Sequence, residues 1–294
     1  MSVSLVIPPH PALAPWVHHI LVMGLDVCTS QLPSALSPCL TVFARGGSRL
    51  EHADGSLQPV PRASLTGPYL HARRSRVAPG TVFLALMFRP GCMDEALGPA
   101  VAEVRERIVP LEDIAPAGAV GELLERIDAS ADPHAWATAT QAVLLRMLRP
   151  TRDPARCAAL LGERANLFQP ARLIADRLGI GERQLERRIA RAYGANLREL
   201  RRIARFGFTL AAMTARPPAR GELTRIALDF GYYDQAHMDR DFRALAGLAP
   251  GALLRAIAGD DPGYWLYRFR HRQFRDLFLP DDVDSVQARL FAPA

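Results

Sequence analysis

Apolar positions fall into two regimes along the chain. In the first half they come in short runs bounded by proline and glycine: Trp16 to Val27, Leu40 to Ala44 and Thr81 to Phe88, rich in Val, Ile, Leu and Phe. Runs of that length and composition predict strands. Between them, Gly46-Gly47, Asp54-Gly55, Gly67-Pro68 and Pro79-Gly80 mark turns. From about Met93 the apolar spacing changes to three and four. Gly121 to Ala129 (Leu124, Ile127) and Asp132 to Leu148 (Trp136, Ala139, Val143, Leu144, Met147, Leu148) therefore predict helices. Asp132 ahead of Pro133 fits an N-cap with proline at the first helical position. Arg149-Pro150-Thr151-Arg152-Asp153-Pro154 then ends the helical pattern and predicts a domain boundary.

The second half reads as helical throughout, and it contains a repeat. Ile174-Ala175 and Gly179 recur as Ile226-Ala227 and Gly231 at an offset of 52. After one extra turn residue, Leu185, Arg187, Ile189 and Gly194 recur as Met238, Arg240, Phe242 and Gly247 at an offset of 53. Each copy predicts helix, turn, helix. Ala175 and Ala227 are small where two helices approach. Gly179 and Gly231 sit where a left-handed backbone ends the first helix, which glycine adopts without a Cβ clash. Ile180 and Tyr232 fill the angle, and Leu185/Ile189 and Met238/Phe242, four apart, form the buried stripe of each second helix. The opposite faces, about 182–192 and 235–246, carry Arg183, Glu186, Arg187, Arg188 and Arg191 in one copy and Gln235, Ala236, His237, Asp239 and Arg240 in the other. Arg and Gln on a helix face can read base edges in a major groove. The connector Leu197 to Met213 places Leu197, Leu200, Ile203, Gly207 and Leu210 on one side. As a stiff spacer of roughly 25 Å it suits two recognition helices about one DNA turn apart.

Charge sharpens the division. The 294 residues carry 36 basic side chains, all Arg, against 30 acidic ones, a net +6. Residues 1–150 hold 12 Arg and 13 acids, whereas 151–294 hold 24 Arg and 17 acids. Within 164–255 the excess reaches +8, from 17 Arg and 9 acids. A basic module beside a near-neutral one points to a polyanionic partner. Half the residues are apolar, as in a chain that buries a real core. Apolar runs stay near ten residues, too short to span a bilayer, and the N-terminus has no secretory pattern, so the expectation is a cytoplasmic protein without membrane contact.

Candidate chemistry changes little. Cys28, Cys39, Cys92 and Cys157 form no CxxC pair. His10, His18, His19, His52, His71 and His134 lie in the first half without metal-ligand spacing, and no GxSxG nucleophile motif occurs. No catalytic residue, metal site or cofactor is expected, and the protein is not expected to be an enzyme. Trp16, Phe43, Phe83 and Phe88 could line a pocket or fill a core. Arg73-Arg74-Ser75-Arg76 could meet an acidic ligand or form a solvated loop. The aromatic, basic stretch from Gly263 to Phe278 could add to DNA binding or pack on the first domain.

The run Ile226-Ala227-Leu228-Asp229-Phe230-Gly231-Tyr232-Tyr233-Asp234-Gln235-Ala236-His237-Met238-Asp239-Arg240-Asp241-Phe242, followed by Gly247-Leu248-Ala249-Pro250, resembles the C-terminal signature of AraC/XylS-type transcription regulators. The first copy fits the same tandem domain, so the resemblance covers about 165–256. Residues 8–148 resemble an uncharacterised regulator N-terminal domain, through Phe88-Arg89-Pro90-Gly91, Leu97-Gly98 and Val109-Pro110-Leu111-Glu112-Asp113. The first copy departs in carrying Gly181 where the family often has a Ser N-cap, and Leu197 in the place of Pro250. Asp239 and Asp241 flank Arg240 and lower the potential of the second recognition helix.

The resemblance implies a bacterial DNA-binding transcription regulator. Its N-terminal domain (1–150) is expected to be α+β, strand-rich with trailing helices, a cupin-like form being one option, and to sense or dimerise. An all-α tandem helix-turn-helix domain (155–256) and a tail (257–294) follow. Expected DNA-binding residues are Arg183, Glu186, Arg187, Arg188, Arg191, Gln235, His237, Asp239 and Arg240, with copy one contributing more affinity. Partners so implied are double-stranded promoter DNA, RNA polymerase, a small-molecule effector and a second copy of the chain. The competing reading is a ligand-binding or scaffolding protein whose helical half makes protein contacts.

Overall fold

The computed structural model describes residues 4–98, 101–148, 167–259 and 261–268. The expected boundary at 149–154, Cys157 and the tail beyond 268 lie outside the described residues. The first part is strand-rich and the second helical.

Ten strands build two antiparallel sheets: β1 (Ser4–Ile7), β2 (Val17–Leu25), β3 (Thr29–Leu32), β4 (Cys39–Arg45), β5 (Ser48–Glu51), β6 (Leu57–Pro59), β7 (Ala63–Thr66), β8 (Arg73–Val77), β9 (Thr81–Phe88) and β10 (Ile108–Pro110). One sheet has the order β1-β2-β9-β4-β7-β10, the other β3-β8-β5-β6. The three predicted strands are β2, β4 and β9, neighbours at the centre of the larger sheet. Both faces of that sheet are covered, which is why they read as continuous apolar runs. Alternate residues go to opposite sides: Val82, Leu84, Leu86 and Phe88 join one core, while Phe83 and Ala85 face the smaller sheet with Leu21, Met23, Leu25, Phe43 and Val77. Of the four aromatics considered for a pocket, Trp16 and Phe88 fall in the first core, and Phe43 and Phe83 face the second sheet.

The first core is closed by α1 (Met93–Leu97), α3 (Ala119–Asp128) and α4 (Pro133–Met147), with α2 (Val101–Val104) between them in the chain. Helix α4 begins as its sequence predicts: Asp132 accepts a hydrogen bond from the His134 amide at 3.0 Å, with proline in the first turn. Trp136 is anchored by its indole N–H, which donates to the Ser130 carbonyl at 2.8 Å.

The helical part comprises α5 (Ala171–Arg177), α6 (Glu182–Tyr193), α7 (Leu197–Ala215), α8 (Leu223–Asp229), α9 (Gln235–Ala246) and α10 (Pro250–Ala258), then a 3-10 segment, Pro262–Arg268. Helix α7 is the mast. Its expected one-sided apolar stripe proves too narrow: Phe206, Phe208 and Ala211 are buried along with Leu200, Ile203 and Leu210. A helix flanked by a helix pair on each side buries most of its circumference, and the sequence answers with aromatics all round.

Arg73-Arg74-Ser75-Arg76 is not a loop but strand β8. Its alternation sends Arg74 and Arg76 outward to Glu51, at 3.6 and 2.8 Å, and Arg73 inward. Among the described residues no helix is long and apolar enough to cross a membrane, and no group of three or more His, Cys, Asp or Glu could hold a metal.

Candidate nucleic-acid interface

The two helix pairs match down to their backbone hydrogen bonds. Gly179 and Gly231 take φ of 63° and 73°. In each turn the residue after glycine donates back across the helix end, Ile180 to the Ala175 carbonyl at 3.0 Å and Tyr232 to Ala227 at 2.9 Å. This pattern closes a helix through a left-handed residue. Both second helices stop at a left-handed glycine too, Gly194 and Gly247. Leu185, Ile189, Met238 and Phe242 are fully buried, so the opposite faces must point outward.

The N-terminal ends differ as the sequence suggests. Helix α9 is capped by Asp234, which accepts from the His237 amide at 2.6 Å. Helix α6 starts at Gly181 with no side-chain cap. At the Leu197 and Pro250 positions the roles reverse: α7 carries a full capping box between Asn196 and Glu199, each bond 2.9 Å, whereas α10 relies on proline in its first turn.

The outward face of α6 presents Arg183, Glu186, Arg187 and Arg188, all exposed and without an ion pair to any described residue. Arg191 differs: its guanidinium lies 2.7 Å from Asp94 of α1, a carboxylate only 6% exposed. The Tyr193 ring packs against Gly91, where a Cβ would come within 2.7 Å of it. Arg105 meets Glu199 at 2.9 Å. The C-terminal end of α6 is thus held by the strand-rich part.

Helix α9 presents Gln235, Ala236, His237, Asp239 and Arg240. Gln235 accepts from Thr224 of α8 at 2.9 Å. The His237 ring accepts from the Tyr233 amide at 3.3 Å and lies edge-on to Tyr232, so it supports the turn. The aspartates expected to flank Arg240 are engaged elsewhere. Asp239 faces Arg243 at 3.6 Å, and Asp241 is buried and bound by Arg202 of α7 at 2.6 Å. Sequence adjacency misleads because neighbours along a helix point about 100° apart. The α9 end is held like that of α6: the Ser34 amide donates to the Leu245 carbonyl at 2.7 Å, and the Ala72 amide to Ala244 at 2.9 Å. Tyr233, passed over in the sequence, is 86% exposed at the turn ahead of Asp234.

Residues 174–256 match the family described as helix-turn-helix domain. The match runs from within α5 to within α10 and so takes in both helix pairs and the helix between them. Among solved structures the chain is similar to unsaturated fatty acid-bound ToxT from Vibrio cholerae strain SCE256, at 13% identity over 82% of this chain and 95% of that one, with a TM-score of 0.42. ToxT from Vibrio cholerae O395 is similar at 11% identity over 82% and 98%, TM-score 0.43. The AraC-like transcriptional activator CuxR is similar at 13% identity over 62% and 74%, TM-score 0.27. Likeness at this level says nothing about ligand or mechanism. No curated protein matches the chain.

Proposed function

We propose that both helix pairs act as helix-turn-helix units and set α6 and α9 into successive major grooves of one promoter site. The observation that carries this reading is the matched pair of turns, with equivalent glycines, wedges and backbone bonds on either side of one rigid helix. The 19 residues of α7 span about 28 Å, comparable with the ~34 Å of a DNA turn. In this reading Arg183, Glu186 and Arg187 face bases and Arg188 a phosphate. Gln235, Asp239 and Arg240 face bases from α9, His237 orders its turn, and Tyr233 donates to a phosphate. Arg191 contributes once it leaves Asp94. A strand-rich domain of residues 1–150 modulates the DNA-binding domain at 155–256 in answer to an effector, and the segment from 257 joins them. The regulator acts in the bacterial cytoplasm, with RNA polymerase and a second copy as further partners.

Selection of genomic promoter fragments, followed by salt titration, tests the reading. Affinity should fall with salt at a log–log slope of about −0.9 per phosphate bound. Arg183→Ala with Arg187→Ala should weaken binding by about 1–3 kcal/mol for each base no longer read, more than Gln235→Ala does. Unchanged affinity in the double variant, with binding abolished in Gln235→Ala, refutes the assignment of most affinity to α6.

A further inference from the structure

At the start of α9 one side chain is braced from another helix. The Thr224 hydroxyl of α8 donates to Gln235 Oε1 at 2.9 Å, from 11 positions earlier in the chain. The turn between them brings the two together. Gly231 takes φ of 73°, and the Tyr232 amide donates back to the Ala227 carbonyl at 2.9 Å, which sets the angle between α8 and α9. Asp234 then caps α9 by accepting from the His237 amide at 2.6 Å, so Gln235 is held as the first helical residue. Its backbone is fixed by the cap, and the far end of its side chain by the hydroxyl.

The matching positions of the first helix pair have no such brace. At the offsets of 52 and 53, Thr224 corresponds to Arg172 and Gln235 to Glu182. Among the described residues no ion pair joins Arg172 to Glu182; Arg172 turns instead to Asp176 of its own helix, at 3.9 Å. The brace therefore belongs to the second pair alone and is not a requirement of the fold the two share.

Thr224 is exposed and Gln235 half-buried. A neutral hydrogen bond in water adds little to folding, because water competes for both partners. Its effect falls on the side chain. A free glutamine gives up rotamers when it binds, and that loss weakens binding; a braced one has given them up already. The amide oxygen has two lone pairs, and Thr224 takes one. What remains is one acceptor site beside N–H donors, in a fixed order. In a major groove only adenine sets a donor, N6, next to an acceptor, N7.

We propose that Thr224 is a positioning residue for base reading: it holds the Gln235 amide to pair with one adenine, Oε1 accepting from N6 and Nε2 donating to N7. Thr224 itself touches no base. The inference rests on the reading of α9 as a groove-facing helix; it adds the base that Gln235 takes and a residue outside α9 that sets it.

Selection of the full chain on a randomised duplex library, with sequencing of the bound fraction, tests this. The unmutated protein should enrich one site, and Gln235→Ala should lose the preference at one position of it. That position should be adenine, favoured about tenfold over each other base. Thr224→Val keeps the shape without the hydroxyl and should cut that preference about fivefold, leaving other positions alone, whereas Thr224→Ser should retain it. In a Gln235→Ala background Thr224→Val should change nothing further. An adenine preference undiminished in Thr224→Val overturns the proposal, as does another base at the Gln235 position or no effect of Gln235→Ala anywhere. A loss spread evenly over the site also overturns it, since that marks altered folding or general affinity and not the amide. No enriched site with the unmutated chain refutes the regulator reading itself, and the brace with it.

Discussion

His19 shows how much one buried side chain can decide. It is 8% exposed on β2, with its Nδ1 2.8 Å from that of His18. Burial first, and the neighbouring imidazole second, lower its pKa from 6.5 to about 4. The folded state thus holds His19 neutral where the unfolded chain would protonate it. Its contribution is fully present above pH 6.5 and declines as pH falls toward 4, the decline reaching about 2 kcal/mol by pH 5. Thermal unfolding of His19→Gln should lack that part of the acid sensitivity between pH 7 and 5; an identical pH slope in the variant rules this cause out. Asp241 makes the complementary point. Its charge looks like a repellent for DNA in the sequence, yet it is spent on Arg202 inside the helical core.

Among the elements, α7 matters most, because it alone spans both helix pairs. Its start is secured by the capping box of Asn196 and Glu199, and Glu199 also receives Arg105 from the strand-rich part. Asn196→Ala should cost about 1 kcal/mol of stability in denaturant titration. Gly181→Ala, where no side-chain cap exists to remove, should cost less than Asn196→Ala does. If the two variants unfold alike, the box is not what holds the mast.

For the whole molecule, the strand-rich part grips the C-terminal ends of both α6 and α9: Asp94 and Gly91 at α6, and Ser34 and Ala72 at α9. The residues proposed to face DNA, such as Arg183 and Gln235, stand toward the opposite ends, so in that reading the grip can set spacing while leaving them open. Asp94→Asn removes the anion facing Arg191, which is 72% exposed and so inexpensive to release. The freed guanidinium should then engage a further phosphate and steepen the log–log salt slope of DNA binding by about 0.9. An unaltered slope would mean that Arg191 does not reach the duplex.

The sequence by itself determined what is local. The caps, left-handed glycines and spacing of three and four placed α6 at 182–193 and α9 at 235–246, within a residue of expectation. Strands β2, β4 and β9 were legible because burial on both faces leaves an unbroken apolar run. The smaller sheet was not, since its strands are short and cover only one side of a cavity, so their alternation is weak. Tertiary structure alone decided which Arg are available. Arg191 and Asp94 stand 97 residues apart, and no periodicity in the chain announces that they meet. It also turned Arg73 from a presumed surface charge into a cation facing inward over the Tyr69 ring, because strand register, set by hydrogen bonds to distant segments, fixes which side chains face in.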